Sequence, residues 1–203
     1  MERSGAKIAS ALFFAAATQL VLGITIAEAL FPGYSISGNY ISDLGTGPSS
    51  LIFNSSIFLL GLLTAGGAYF LRRTVVLRTT SILLLIMALG AMGVGIFNQD
   101  YVYLHSPFAF LAFLFSGLSA ASSSRIAKAP FAQISAVLGA MTLGALALFS
   151  AGILTNGSLT SDITFDSAFY LGLGPGGMER MILYPALLWL AGFSTFLATG
   201  NRK

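Results

Sequence analysis

Six apolar stretches, each long enough to cross a bilayer, most constrain what this chain can fold into. They run over residues 8–31, 51–71, 80–97, 106–124, 131–154 and 178–199. A transmembrane helix needs about 20 mostly apolar residues to cross about 30 Å of hydrocarbon. Because lipid offers no partners for backbone groups, each stretch is predicted to be a helix. We therefore predict an all-α bundle of six transmembrane helices, with residues 1–203 forming a single membrane domain.

The composition agrees with a membrane location. Only 8% of the residues are charged and 56% are hydrophobic, whereas about a quarter of a soluble domain is charged. Such a chain cannot cover a surface that faces water, but it can cover one that faces lipid. The formal net charge of +3 would favour nucleic acid as the partner of a soluble protein. Here the basic residues flank the spans, so no nucleic-acid partner is predicted.

The first apolar stretch has some features of a secretory signal. Arg3 and Lys7 precede it, and Ala27-Glu28-Ala29 is similar to a cleavage site. The apolar part of a signal peptide is usually only about 7–15 residues long. Since this stretch is longer, we predict that it is a membrane span.

The distribution of charge predicts the orientation. With six spans, six of the seven acids, the single histidine and Arg180 fall on one side of the membrane. Excess lysine and arginine marks the cytoplasmic side, so both termini of this multi-pass protein of the cell membrane are predicted to be cytoplasmic. Five or seven spans would scatter the charges over both sides. The basic residues that share the cytoplasmic side are Arg3, Lys7, Arg72, Arg73, Arg78, Arg125, Lys128, Arg202 and Lys203.

The middle of each predicted span lacks ionisable residues, which narrows the possible functions. Proton pumps and ion-coupled transporters usually carry such a residue within the membrane. The chain has no cysteine, which excludes thiolate metal sites. It has one histidine, which excludes haem held by two histidines and zinc held by three histidines within one chain. We predict no cofactor and no metal site. An all-oxygen cation site built from Asp43, Asp100 or Glu179 is the remaining alternative.

Polar residues gather instead at the predicted outer ends of spans two, four and six. His105 is suited to act as a general base oriented by Asp43 or Asp100. Arg180 is suited to bind a phosphate or a carboxylate. The candidate catalytic residues are Asp43, His105 and Glu179, and the candidate binding residues are Arg180, Asn54 and Asp100.

Each candidate also has a purely structural interpretation. Asp43 fits an Asx turn. Ser106 and Pro107 fit the N-cap and the first position of a helix, which would leave the preceding histidine as an interfacial residue. Glu179 suits the first turn of a helix, and Arg180 is long enough to reach lipid headgroups.

Three further features carry predictions. Asn156-Gly157-Ser158 is a glycosylation acceptor motif in a predicted outer loop. Residues 161–171 mix acids with apolar side chains, so we predict a short element in the outer interface. Small residues within the spans, such as Gly90 and Gly139, permit close helix packing. The packing partner is another helix of the bundle, a second copy or another protein.

Three short motifs together resemble a known family. They are Ile41-Ser42-Asp43-Leu44-Gly45, Gly93-Val94-Gly95-Ile96-Phe97 leading to His105, and Gly177-Met178-Glu179-Arg180. The chain is similar to an uncharacterised family of six-helix prokaryotic membrane proteins, domain of unknown function 998, which is distantly similar to the DRAM and Sfk groups. The resemblance implies six helices and a polar cluster at the outer mouth, but no activity. Members often have a Phe-Pro-Glu turn after span three, whereas this chain has Phe97-Asn98-Gln99-Asp100, without that proline and acid.

These observations favour one function over two others. The first hypothesis is recognition or processing of lipid headgroups or lipid-linked substrates at the outer leaflet, with membrane lipids as partners. The second is a non-catalytic subunit that packs within a membrane complex. The third is a transporter of a neutral or weakly charged solute. The sequence leaves open whether the chain is an enzyme.

Overall fold

The computed structural model describes residues 2–72, 74–155 and 167–199. Within these residues the chain is helical, and the six long helices are all long and apolar enough to cross a membrane. The prediction of an all-helical protein with six spans is therefore confirmed. The helices are α1 (Glu2–Leu30), α2 (Ser50–Leu71), α3 (Arg78–Ile96), α4 (Val102–Ser124), α5 (Phe131–Thr155) and α6 (Gly174–Thr199).

Two helices that carry candidate site residues begin four residues earlier than the sequence predicts. α4 begins at Val102, four residues before the predicted start, so Pro107 lies inside the helix and not at its first position. α6 begins at Gly174, so the glycine-rich segment forms its first turn. Pro175 is tolerated there because the first N–H groups of a helix have no partner within the helix. Both starts place a candidate site residue within the first two turns.

The helices form a closed ring. Each helix packs against the next one in the sequence, and α1 packs against α6. α6 also touches α4 across the interior, and its Trp189 and Phe193 are almost fully buried in the core. Their rings stack with centroids 5.1 Å apart.

The ring has two chemically different ends. Because the six helices alternate in direction, the start of α1 and the end of α6 lie at the same end of the ring. We call this the basic end, since it carries the α2–α3 and α4–α5 connections with Arg72, Arg78, Arg125 and Lys128. The opposite, acidic end carries the α1–α2 and α3–α4 connections and the start of α6, with Glu28, Asp43, Asp100 and Glu179.

α4 and α5 pack most closely towards the basic end. A Cβ atom on Gly139 would lie 2.9 Å from the backbone nitrogen of Ala121 and 3.1 Å from the carbonyl oxygen of Gly117. Only a glycine permits this approach of the two backbones. Towards the acidic end the same two helices line a cleft, which is described below.

Some predicted features lie outside the described residues. These are the Asn156 motif and residues 161–166 of the predicted interfacial element, including Asp162 and Asp166. The described part of that element contains a short 3₁₀ turn, Ala168–Tyr170. The ring of Tyr170 is fully buried against Gly152 of α5.

Candidate functional site

Arg180 fixes the α1–α2 connection to the start of α6. Its Nη2 lies 2.6 Å from Oε1 of Glu28 and donates to the hydroxyl of Tyr34 at 2.9 Å. Its Nη1 donates to the carbonyl oxygens of Ile36 at 2.8 Å and Gly176 at 3.0 Å. Burial raises the pKa of Tyr34 to about 12, so this hydroxyl stays protonated. The side chains of Arg180 and Glu28 are 8% and 23% exposed, which makes them a buried ion pair.

Glu179 lies on a different face of α6 and points towards the interior of the ring. Only 6% of the residue is exposed. Its Oε2 accepts a hydrogen bond from the backbone N–H of Ile41 at 2.5 Å. Ile41 precedes the 3₁₀ turn Ser42–Gly45 of the α1–α2 connection. The carboxylate is therefore a second link between α6 and that connection.

His105 is 5% exposed, and its Nδ1 lies 2.8 Å from the carbonyl oxygen of Phe97. A carbonyl oxygen only accepts, so Nδ1 carries the proton and Nε2 of the neutral ring is an acceptor. Among the described residues, Phe97 is the only hydrogen-bond partner of the ring. The orientation of His105 thus comes from a backbone carbonyl and differs from the predicted orientation by Asp43 or Asp100.

Asp43 orders the connection that lies over this end of the ring. Its Oδ2 accepts from the backbone N–H of Tyr40 at 2.9 Å and from Nδ2 of Asn39 at 3.2 Å. These bonds run backwards along the chain, unlike those of the predicted Asx turn. Burial raises the pKa of Asp43, while its hydrogen bonds from Asn39 and Tyr40 act in the opposite direction. Asp43 thereby holds the adjacent Ser42 at the inner end of the cleft.

Asn54 and Asp100 belong to a separate set of contacts. Nδ2 of Asn54 donates to the carbonyl oxygen of Gly45 at 2.9 Å. Nδ2 of Asn98 donates to the same oxygen at 3.1 Å and to Oδ2 of Asp100 at 3.1 Å. These bonds join the α3–α4 connection to the start of α2. Neither predicted binding residue lines the cleft, and Asp100 is exposed.

A cleft of about 590 Å³ opens between α4 and α5 towards the acidic end. Its walls are apolar, with Phe110 and Phe113 from α4 and Phe149 and Ile153 from α5. Phe110 is 47% exposed and Leu154, also in the wall, is 80% exposed. Exposed apolar side chains of this kind suit contact with lipid, and the cleft opens on the outer, apolar surface of the ring. Of the polar residues that line it, Ser42, His105 and Glu179 are buried and mark its inner end. The others are Tyr40, Gln99, Tyr103, Ser106 and Ser150.

Two tyrosines pack behind the α5 wall of the cleft. Tyr40 packs edge-to-face on Phe149 with centroids 5.8 Å apart, and Tyr170 lies 6.1 Å from the same ring. Burial raises the pKa of both tyrosines, so both hydroxyls are protonated. The two hydroxyls lie close to each other, and within the described residues neither has another hydrogen-bond partner.

A small cavity of about 40 Å³ lies inside the ring, next to the cleft. It is lined by Ser42, His105 and Glu179 at one end, and by Leu187 and Trp189 further inside. A water molecule needs about 10–15 Å³ of such space, so the cavity has room for very few. His105 and Glu179 stand between the lipid-facing cleft and this cavity, since both line each of them.

The structure thus brings together only part of the predicted site. His105 and Glu179 share the inner end of the cleft, and Asp43 borders it through Ser42. Arg180 lies on another face of α6, paired with Glu28, whose role the sequence reasoning missed. In the part of the chain that the structure describes, no three histidine, aspartate or glutamate side chains are placed to hold a metal ion.

The fold and the cleft define a polytopic membrane protein whose polar groups gather at one end of a six-helix ring. The family described as "Protein of unknown function (DUF998)" matches residues 14–195. The chain belongs to this family. No curated protein and no solved structure matches it.

Proposed function

We propose that this protein recognises a membrane lipid or a lipid-linked substrate that enters sideways between α4 and α5. The acyl chain lies along the apolar walls of the cleft, and the headgroup reaches His105 and Glu179. One observation carries this proposal, namely a cleft that is apolar where it faces lipid and polar at its inner end. A soluble ligand would not need such an entrance.

The dimensions and the chemistry of the cleft support the proposal. Its volume of about 590 Å³ falls within the range of about 300–1,000 Å³ that is usual for small-molecule sites. Nε2 of neutral His105 is an acceptor at the inner end, so it is placed to take a proton from a headgroup hydroxyl or a water molecule. Binding does not require that step. We therefore propose that the protein recognises the lipid, and that His105 is the candidate base if the protein is an enzyme.

The acidic end is proposed to face the outside of the cell. The described basic residues, apart from Arg180, lie at the other end, as the positive-inside rule requires of a cytoplasmic surface. The cleft would then receive lipids of the outer leaflet.

The absence of cysteine makes this orientation simple to test. Ser37 is exposed in the α1–α2 connection, and Lys128 is exposed in the α4–α5 connection. We expect Ser37→Cys to react with a membrane-impermeant maleimide in intact cells, and Lys128→Cys to react only after permeabilisation. The reverse labelling pattern would place the cleft in the cytoplasmic leaflet.

The two alternative functions have less support. Gly90 approaches the backbone nitrogen of Ala112 within the chain, so this small residue already has a packing role without a partner protein. The interior cavity of about 40 Å³ is too small for most solutes. Distant similarity to the DRAM and Sfk groups remains part of the proposal and rests on the sequence motifs alone.

Filling the cleft tests the proposal directly. Ile153 lines the cleft, and an indole in its place would occupy part of the space for an acyl chain. Leu89 of α3 is 59% exposed and lies away from the cleft, so Leu89→Trp is a matched control. We expect Ile153→Trp to reduce the lipid that remains bound after purification about tenfold, a loss of about 1.4 kcal/mol in binding. Native mass spectrometry would measure the bound lipid in both variants.

Two outcomes would contradict the proposal. One is a wild-type protein that retains no lipid in mild detergent and acquires none in lipid nanodiscs. The other is equal lipid retention in Ile153→Trp and in the control, because the bound lipid would then lie elsewhere.

A further inference from the structure

We infer that the headgroup received by this cleft is uncharged and carries hydroxyl groups, as a glycosyl or glyceryl group does. This inference rests on the proposed function and names the class of lipid. It excludes an anionic phosphate from direct contact with His105 and Glu179.

The inner end of the cleft offers no positive charge to an anion. No lysine or arginine is among the described residues that line it. The segment 156–166 contains no basic residue in its sequence either. Arg180 directly follows Glu179 in the sequence, but its guanidinium already binds Glu28, Tyr34 and two carbonyl oxygens. Buried anions are stable only when they are paired and hydrogen-bonded, so a phosphate has no partner here.

The same end presents hydrogen-bond acceptors instead. Glu179 contributes the oxygens of a carboxyl group that is 6% exposed, and His105 contributes Nε2. A hydroxyl group is a donor that satisfies either of them without bringing a charge. The hydroxyls of Ser42 and Ser106 also line the cleft and are able to donate or accept. Several neutral hydroxyls on one headgroup match this arrangement.

A cationic headgroup matches the carboxylate less well than hydroxyls do. An ammonium group loses strong hydration when it enters a buried site, and its attraction to a carboxylate often fails to offset that loss. In common phospholipids the ammonium is also linked to a phosphate, which would meet the acceptors at the inner end. A neutral, hydroxyl-bearing lipid avoids both costs.

Competition between three lipids with identical acyl chains tests the inference. They are a glycosyl diacylglycerol, phosphatidylglycerol and a lipid with a primary amine headgroup, each added to the full-length protein in neutral-lipid nanodiscs. We expect the glycosyl lipid to bind at least about tenfold more tightly than the other two. Its affinity should also stay constant from about 50 to about 500 mM salt, because no charged contact is screened.

Variants connect the preference to the site. Glu179→Gln keeps an oxygen that accepts from Ile41 but adds an amide N–H donor that a phosphate accepts from, so it should reduce the preference over phosphatidylglycerol. Asp100→Asn removes an exposed acid that lies at the same end and outside the cleft, so it should leave all three affinities unchanged. The salt series on the wild-type protein needs no variant and remains informative if Glu179→Gln fails to fold.

The failures of the two proposals are distinguishable. Preferential binding of phosphatidylglycerol or of the amine lipid, lost in Ile153→Trp, would overturn the inference on the headgroup and leave lipid recognition standing. Binding that Ile153→Trp does not change would overturn both. A glycosyl lipid whose affinity falls steeply with salt would also contradict an uncharged contact.

Discussion

Replacing Arg180 with alanine is expected to lower the free energy of unfolding by about 3–5 kcal/mol, as removal of one partner from a buried ion pair usually does. The substitution leaves the carboxylate of Glu28 without its cation at a position where it is only 23% exposed. It also removes the donors to Tyr34, Ile36 and Gly176. Unfolding in a sodium dodecyl sulfate titration, followed by tryptophan fluorescence from Trp189, would measure the loss.

Three controls separate the ion pair from the loss of bulk or charge. Arg125 is an exposed arginine at the basic end, so Arg125→Ala should change stability by no more than about 0.5 kcal/mol. Arg180→Lys keeps the charge, but one ammonium has three donors and cannot reproduce the planar fork. It should therefore recover only part of the loss. Glu28→Gln keeps an acceptor for Nη2 and should be less damaging than Arg180→Ala.

The thermodynamic link between the two residues has its own signature. In a double-mutant cycle, Arg180→Ala and Glu28→Ala together should cost clearly less than the sum of the single changes, since the second change removes the unpaired charge. Additive losses would show that the pair contributes no coupling. An Arg180→Ala protein as stable as Arg125→Ala would refute the role of Arg180 as the anchor of the α1–α2 connection.

Most of the fold follows from the sequence because membrane spans depend on length and polarity alone. Six apolar stretches correspond to six helices, and His105 and Glu179 lie at the same end because each is near the start of an even-numbered helix. The starts of α4 and α6 did not follow. At Pro107 a local signal for a helix start was overridden, because the helix already begins at Val102 and accommodates the proline in its second turn.

The separation of Glu179 from Arg180 follows from helix geometry, although the predicted site joined them. Consecutive residues of a helix point about 100° apart and do not face one another. Once α6 begins before them, the two side chains must reach different faces, and the structure places them in different contacts. The partner of Arg180 was less accessible from sequence. Glu28 is far away in the chain, and only the closure of α1 on α6 brings it near.

The cleft itself could not be predicted from the sequence. It depends on how far α4 and α5 diverge from their close contact at Gly139, which is a matter of tertiary packing. The apolar residues that line it look like ordinary residues facing lipid. Only their arrangement around His105 and Glu179 gives them a role.

Replacing Gly176 with alanine is expected to disrupt this arrangement more than any other single methyl group added at the acidic end. The backbone N–H of Gly176 donates to the carbonyl oxygen of Ser37 at 3.0 Å. A Cβ atom here would overlap the carbonyl oxygen of Asn39 and lie 2.6 Å from that of Ile36. Both obstacles are backbone atoms, so the α1–α2 connection must move. Overpacking of this kind usually costs about 1–3 kcal/mol, and here the cost should reach the upper part of that range.

Movement of the α1–α2 connection should also reach the cleft, because this connection continues through Asn39 to Ile41. The backbone N–H of Ile41 donates a hydrogen bond to Glu179 at the inner end of the cleft. We therefore expect Gly176→Ala to lower both the unfolding free energy and the amount of bound lipid. Gly144→Ala is the matched control, since a Cβ there meets nothing within 4 Å. Alanine is the better helix former, so the control should be neutral or more stable by up to about 1 kcal/mol. If Gly176→Ala unfolds like the control and binds lipid like the wild type, the connection is not held by α6. If Gly176→Ala loses stability but binds lipid like the wild type, the headgroup contacts do not depend on the α1–α2 connection. The apolar walls between α4 and α5 would then be the main source of affinity.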